Sequence, residues 1–417
     1  MNGPRIVIAG GGAAGFFAAV AAAEQNPAAR VTLCEATGRP LSKVRISGGG
    51  RCNVTHACFE PDALARHYPR GGPELRGPLH RWGPRETVAW FAAHGVALKT
   101  EADGRMFPVT DDSATVVDCL RGAAERRGIA VRTGCGVRAA RPGFTVELAT
   151  GEALACDRLL LATGGTQGSG GLAIAAGFGH EIVPPVPSLF TFHVADPRLA
   201  GLAGVSVADA VVGVAGTRLQ ERGPVLITHD GLSGPAILKL SAWGARALHD
   251  RAYRFVLTVA WTGGLARPDV AAGLGRGARE HPRKQVASWN PFGLPQRLWE
   301  RLVAAAGVPA ERPWSGVSRA GAEALARQLA AGEFAVDGKS LFKEEFVTCG
   351  GVRLREVDFR TMESRLHPGL HFAGEVLDID GLTGGFNLQS AWTTGWLAGR
   401  AMAAAAAGIA PPPDFCL

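Results

Sequence analysis

Arg5-Ile6-Val7-Ile8-Ala9-Gly10-Gly11-Gly12-Ala13-Ala14-Gly15 lies at the start of the chain, and its reading decides the fold class. Ile6 to Ala9 read as a short buried strand. A G-x-G-x-x-G turn follows. An alanine-rich helix then runs to about Glu24, with Phe16, Val20 and Ala23 at helical spacing. A second strand, Arg30-Val31-Thr32-Leu33-Cys34, ends on Glu35, 20 residues after Gly15. Gly10 permits the tight turn, Gly12 lets a pyrophosphate approach the backbone, and Gly15 lets helix and strand pack. Ala13 and Ala14 bring amides to the helix N-terminus. Glu35, with Ala36 beside it, can accept hydrogen bonds from a ribose. This unit predicts a dinucleotide site and an α/β, Rossmann-like fold. By itself it does not separate FAD from NAD.

The remaining composition bounds the class. A chain of 417 residues with 47% apolar content predicts two or three domains with sizeable cores. The longest soft run, Ile6 to Ala23, is broken by glycines, and no lead, apolar core and cleavage site occur in order. The expectation is a cytoplasmic protein with no membrane span. A net charge of +7 is mild over this length and suits anionic substrates or cofactors. With no dense basic cluster in the sequence, no nucleic-acid partner is expected. The eight cysteines contain no Cys-x-x-Cys pair, so neither a metal site nor a redox dithiol is expected.

The segment after the second strand runs Gly38 to Thr55 and has little secondary-structure propensity. Gly48-Gly49-Gly50 permits close approach to a flat ligand. Lys43 and Arg51 are candidates to face phosphates, and Cys52 and Asn53 to face a reactive ring. Far along the chain, His371 to Gln389 reads as a strand, paired acids, paired glycines and a helix. Such a turn brings backbone amides to an anion.

Ile46-Ser47-Gly48-Gly49-Gly50-Arg51-Cys52-Asn53-Val54-Thr55 resembles the signature of the HI0933-like flavoproteins, which include a bile-acid reductase. The resemblance continues through Thr228-His229-Asp230-Gly231-Leu232-Ser233-Gly234-Pro235, Thr348 to Val352, Thr361 to Ser364 and the stretch 371–389. It spans nearly the whole chain in order. His56 departs from it, since the family more often has Asn there, and so does a short middle insertion. The resemblance implies an FAD fold of the two-dinucleotide-binding-domain type, and a backbone contact from Val137 to the adenine. Ala162-Thr163-Gly164, at the end of a buried strand, then lies beside the FAD. Gly374 and Glu375 meet the pyrophosphate and ribityl chain. Gly384, Gly385, Asn387 and Leu388 bring amides to the flavin pyrimidine, and Asp378 joins the cofactor side while shaping the turn.

Four divisions follow. Residues 1–186 form the first part of the FAD domain, and 349–417 return to it. An inserted β-rich, barrel-like domain occupies 187–265 and 333–348, with a small helical subdomain at 266–332. Pro184 to Pro187 reads as the linker between them. In Thr228 to Pro235, Ser233 is expected to cap a helix that has Pro235 in its first turn. A hydrolase triad is excluded there by spacing.

A single dinucleotide fingerprint with no redox cysteine pair predicts an oxidoreductase passing hydride between flavin and a small organic substrate. NADH or NADPH would be a transient reductant. The resemblance adds reduction of an activated C=C bond. Cys52, Asn53 and His229 are the candidates for chemistry, His229 as a proton donor. The alternative is a flavin-binding protein with a regulatory or RNA-associated role. The sequence leaves the oligomeric state open.

Overall fold

The computed structural model describes residues 3–165, 170–340 and 347–405. They belong to two compact units, Met1–Pro187 with Lys343–Leu417, and Ser188–Phe342.

The first unit is built on a twisted sheet. Five strands run parallel in the order Leu370–Phe372, Arg158–Leu161, Arg5–Ala9, Arg30–Cys34 and Ala130–Arg132. Antiparallel strands Glu363–Ser364 and Val357–Asp358 extend it beyond Leu370. Strands covered on both faces need continuous apolar runs, and Ile6 to Ala9 and Leu159 to Leu161 supply them, all buried. The helix Ala13–Gln25 lies along the last described helix, Phe386–Ala405. Small residues set their separation. A Cβ on Gly395 would fall 2.6 Å from the Ala14 carbonyl oxygen, and one on Gly399 would fall 2.2 Å from that of Ala18. Two helices far apart in sequence are thus packed closely together.

Pro184-Pro185-Val186-Pro187 ends the first unit, as a crossing segment would, but it is regular and not irregular backbone. It lies inside a strand, Ile182–Ser188, paired with Val347–Val352 in a sheet of two strands. Proline removes amide donors, which a strand with a single partner tolerates on its other side.

The second unit holds a seven-stranded antiparallel sheet in the order Gly332–Val336, Phe255–Ala260, Ser206–Val214, Gln220–Ile227, Gly231–Ser233, Thr191–His193 and Gly338–Ser340. The helices Arg267–Glu280, Gln296–Ala305 and Arg319–Ala331 share one core with it, where Leu298, Trp299 and Leu329 join Val212, Leu257 and Val259. The helix expected to carry Pro235 in its first turn is present as Pro235–Trp243, and a second helix, Ala245–Asp250, follows it within the β-rich stretch. Ser233 does not cap the first of them. It sits in a strand and accepts a hydrogen bond from Thr191 Oγ1 at 2.9 Å, and Gly234 takes the cap position.

No helix among the described residues is long and apolar enough to cross a membrane.

His371 carries a pH dependence. It is 1% exposed on the strand Leu370–Phe372, and burial lowers its pKa from 6.5 to about 3. The unfolded chain therefore binds this proton at a pH where the folded chain does not. The contribution is fully present above pH 6.5 and is lost as pH falls towards 3. At about pH 5 the loss is on the order of 2 kcal/mol. Urea unfolding of the wild type and His371→Gln at both pH values measures it: the wild type loses more stability on acidification by about that difference.

Candidate functional site

The residues singled out in the first unit converge on one end of its parallel sheet. Gly12 takes the cap position of the helix Ala13–Gln25, which has neither a side-chain cap nor an acid in its first turn. Its leading amides, with the partial positive charge of the helix end, are left for an external anion. A Cβ on Gly12 would meet nothing within 4 Å, so open space lies over the turn. Glu35 is fixed beside it. One carboxylate oxygen accepts from the Gly11 amide at 2.8 Å, and the other accepts from the Thr37 amide and hydroxyl, each at 2.8 Å.

The next wall comes from the neighbouring strands. Cys135 N donates to Glu35 O at 3.0 Å, and Gly136 packs on Ala36, which sets Val137 beside the Glu35 end of the site. On the other side, Ala162 donates to Ala9, and Ala373 donates to Leu161 at 3.1 Å. A Cβ on Gly165 would lie 2.6 Å from Glu375 O, so the turn carrying Ala162, Thr163 and Gly164 abuts the one carrying Gly374 and Glu375. Thr163 Oγ1 is buried with no hydrogen-bond partner among the described residues. Lys43 Nζ meets Glu375 Oε2 at 2.6 Å, which joins two candidates 332 residues apart.

The segment 50–55 packs against the helix that follows the paired glycines. The Asn53 amide, oriented to satisfy both of its ends, donates to Thr55 O at 3.0 Å and accepts from Gly385 N at 2.9 Å. Thr55 Oγ1 donates to Gln389 Oε1 at 2.6 Å, and Trp392 Nε1 donates to Val54 O at 2.9 Å. Asn387 does not present its side chain outward. Its amide oxygen accepts from Gly381 N at 2.8 Å, and its nitrogen donates to Gly381 O at 2.9 Å, which ties the turn shut. Asp378 is anchored through its backbone, donating to Val352 O at 3.2 Å, and Leu388 is half-buried. Asp380, fully buried, pairs with Arg70.

Two candidates have other occupations. Arg51 is not poised for a phosphate. Its guanidinium pairs with Glu101 at 2.6 Å and Asp111 at 3.4 Å, and it stacks 3.9 Å from the centre of the Phe107 ring. Gly50 nonetheless leads into this cluster through its carbonyl, which accepts from Ser113 N at 2.9 Å. Cys52 faces inward, fully buried, at a left-handed φ of 63°. Burial pushes its thiol up to about 12, so it is neutral at physiological pH and a poor nucleophile. Iodoacetamide at about pH 8 is expected to leave Cys52 unmodified in the native protein and to alkylate it in urea. Peptide mass mapping reads the difference, and rapid native alkylation would contradict the burial.

His229 belongs to the second unit, where it is exposed on the wall of a cavity of about 640 Å³.

The family model of the HI0933-like protein Rossmann domain matches residues 4–401. The chain belongs to the HI0933-like family. It is 31% identical over 396 residues to the ribosomal RNA dihydrouridine synthase of Escherichia coli strain K12, covering 90% of this chain and 92% of that protein. It is 32% identical over 412 residues to the 3-dehydro-bile acid delta(4,6)-reductase of Clostridium scindens, covering 96% and 99%. The solved structure of 3-ketosteroid delta1-dehydrogenase from Sterolibacterium denitrificans aligns with a TM-score of 0.49 at 12% identity, covering 97% of this chain and all of that one.

This HI0933-like protein is an FAD-dependent oxidoreductase. The residues of the first unit fit that cofactor on three counts: uncapped helix amides at Gly12, open space above them, and a buried Thr163 hydroxyl with no partner among the described residues. Sequence reasoning missed the Lys43–Glu375 pair and the role of Thr55, Gln389 and Trp392 as braces. Their only signal was that each lies in or beside a family motif.

Proposed function

We propose that this HI0933-like protein reduces a C=C bond conjugated to a carbonyl, with NADH or NADPH as the electron source. The observation that carries the reading is the chemistry shared by two of its relatives. A dihydrouridine synthase saturates a ring C=C bond conjugated to a uracil carbonyl. A delta(4,6)-reductase of a 3-dehydro steroid saturates C=C bonds conjugated to a ketone. Both relatives align with at least nine-tenths of this chain at above 30% identity.

FAD, when bound, supplies the hydride. Gly12, Ala13, Ala14 and Gly15 would hold its pyrophosphate, Glu35 its ribose, and Val137 and Ala36 its adenine side. Lys43, Glu375 and Thr163 would hold the ribityl and phosphate side. The amides of Gly384 to Leu388 lie at the start of the helix Phe386–Ala405, where they favour negative charge. Asn53, braced on Thr55 and Gly385, holds that turn in place. His229 is the proposed proton donor.

A second reading has its own observation. The second unit carries 18 Lys and Arg against 12 Asp and Glu, so +6 of the chain's +7 resides there. That asymmetry favours a uridine within RNA over a neutral small molecule, because a positive surface attracts a phosphate backbone.

The test is an anaerobic acceptor screen. NADH or NADPH should bleach the flavin band, and an α,β-unsaturated ketone or a uridine-containing RNA should restore it with the saturated product formed mole for mole. If nothing conjugated restores the band while a disulfide or a quinone does, the reading fails.

A further inference from the structure

The cavity in the second unit has a wall of unusual chemical composition. It is bounded by the loop around Asp196 to Gly201, the turn Thr228 to Gly231, and Arg297 from the helix Gln296–Ala305. The turn is held by its glycine. Gly231 has φ +146°, and a Cβ there would fall 2.3 Å from Phe192 O, so no other residue fits against the strand Thr191–His193. Thr228 and His229, in the turn that this glycine holds, line the cavity, which accounts for the glycine in a motif that the flavin site leaves unused.

The charges on the wall do not balance internally. Its one carboxylate, Asp196, is spent: Arg198 grips both of its oxygens, at 2.9 and 2.7 Å, and holds its pKa down. Arg198 itself goes on to Gln328 at 2.7 Å. Arg297 donates one nitrogen to the Gly201 carbonyl and has no carboxylate partner among the described residues. His229 is exposed. Asp230 is exposed in the same turn but does not line the cavity, and Glu300, on the Arg297 helix, accepts from Gln296 at 2.9 Å. Thr228 lines the cavity, and its Oγ1 is buried without a hydrogen-bond partner among the described residues. A guanidinium with unused donors, an imidazole and an orphaned hydroxyl together form a donor set that lacks an acceptor. A buried polar atom without a partner is costly unless a ligand completes it.

We propose that this cavity is an oxyanion site, in which Arg297 and Thr228 bind a phosphate or carboxylate carried by the substrate. The inference rests on the reductase reading only in naming the ligand as substrate. The two sources of that chemistry correspond to the two readings above: the phosphate of a uridine nucleotide, or the side-chain carboxylate of a bile-acid-like molecule.

Isothermal titration of the full FAD-loaded chain with uridine monophosphate, uridine and cholate separates them. Either uridine monophosphate or cholate should bind one site per chain. If the nucleotide is the ligand, uridine should bind at least about tenfold more weakly, the loss of one charge-assisted contact. Arg297→Ala and Thr228→Val should each weaken the bound anion about tenfold or more, and Arg297→Lys should lose less than Arg297→Ala. Thr228→Val keeps the side-chain shape, so its result stands even if Arg297→Ala fails to fold. The proposal is overturned if neither anion binds, or if Thr228→Val and Arg297→Lys both bind as the wild type does. Titration needs no turnover. Binding that persists when the acceptor screen fails would retain the site and remove the reductase reading.

Discussion

Gly385→Leu is expected to purify with less than about a tenth of the wild-type flavin absorbance near 450 nm, and yet to remain folded by circular dichroism. Gly385 has φ +94°, and a Cβ there would fall 2.5 Å from the Thr55 carbonyl oxygen and 2.9 Å from the Asn53 side-chain amide. The left-handed conformation alone costs a branched residue about 1–2 kcal/mol. The larger effect is displacement. The turn must move away from Asn53 and Thr55, and the amides of Gly384 to Leu388 move with it. The core contacts of the helix beyond Gln389 are not touched, so flavin should be lost before the fold. A variant that retains one FAD per chain would show that this turn does not form the cofactor site.

The second large effect is expected from Asp380→Ala, with a loss of roughly 3–5 kcal/mol in urea unfolding. Asp380 is fully buried, and Arg70, whose side chain is 18% exposed, meets it with two nitrogens. Removing the carboxylate takes away the group that meets two of the guanidinium's nitrogens, and breaking a buried pair from one side costs more than the pair contributes when intact. The adjacent backbone also pairs, Arg70 with Asp380, so the segment leading into the helix Gly72–Arg81 loosens from the 371–389 turn. Asp380→Asn keeps the size and one acceptor and should lose less. Equal stabilities for Asp380→Ala and the wild type would mean that the pair contributes nothing.

These two residues show where sequence reasoning reached and where it stopped. Gly10, Gly12, Gly15 and Glu35 were legible because their spacing encodes one local unit whose geometry follows from strand, turn and helix. The 371–389 stretch was legible as a turn, but its partners were not. Nothing local to Asn53 or Thr55 says that Gly385 and Gln389 will sit against them. Arg51 and Cys52 look free in a glycine-rich segment, yet long-range contacts decide their chemistry: Glu101 and Asp111 take the charge of Arg51, and packing around the left-handed backbone at Cys52 buries its thiol. The same limit hid the cavity of the second unit. Arg297 is an unremarkable position on an amphipathic helix until the fold brings it to Thr228 and His229. Pro184 to Pro187 marks the boundary between the units, but its strand pairing was hidden for a local reason. Proline-rich runs favour extended backbone, which serves a linker and an edge strand equally well.

The central claim is that Gly10 to Glu35, the 46–55 segment and the 371–389 turn hold one FAD together. Flavin stoichiometry tests it most directly: the purified chain, or the chain reconstituted with FAD after mild stripping, is denatured and its released flavin identified and counted. The account predicts one FAD per chain, released as FAD and not as FMN. A folded chain that stays colourless after reconstitution, or that takes up FMN in preference, would contradict it.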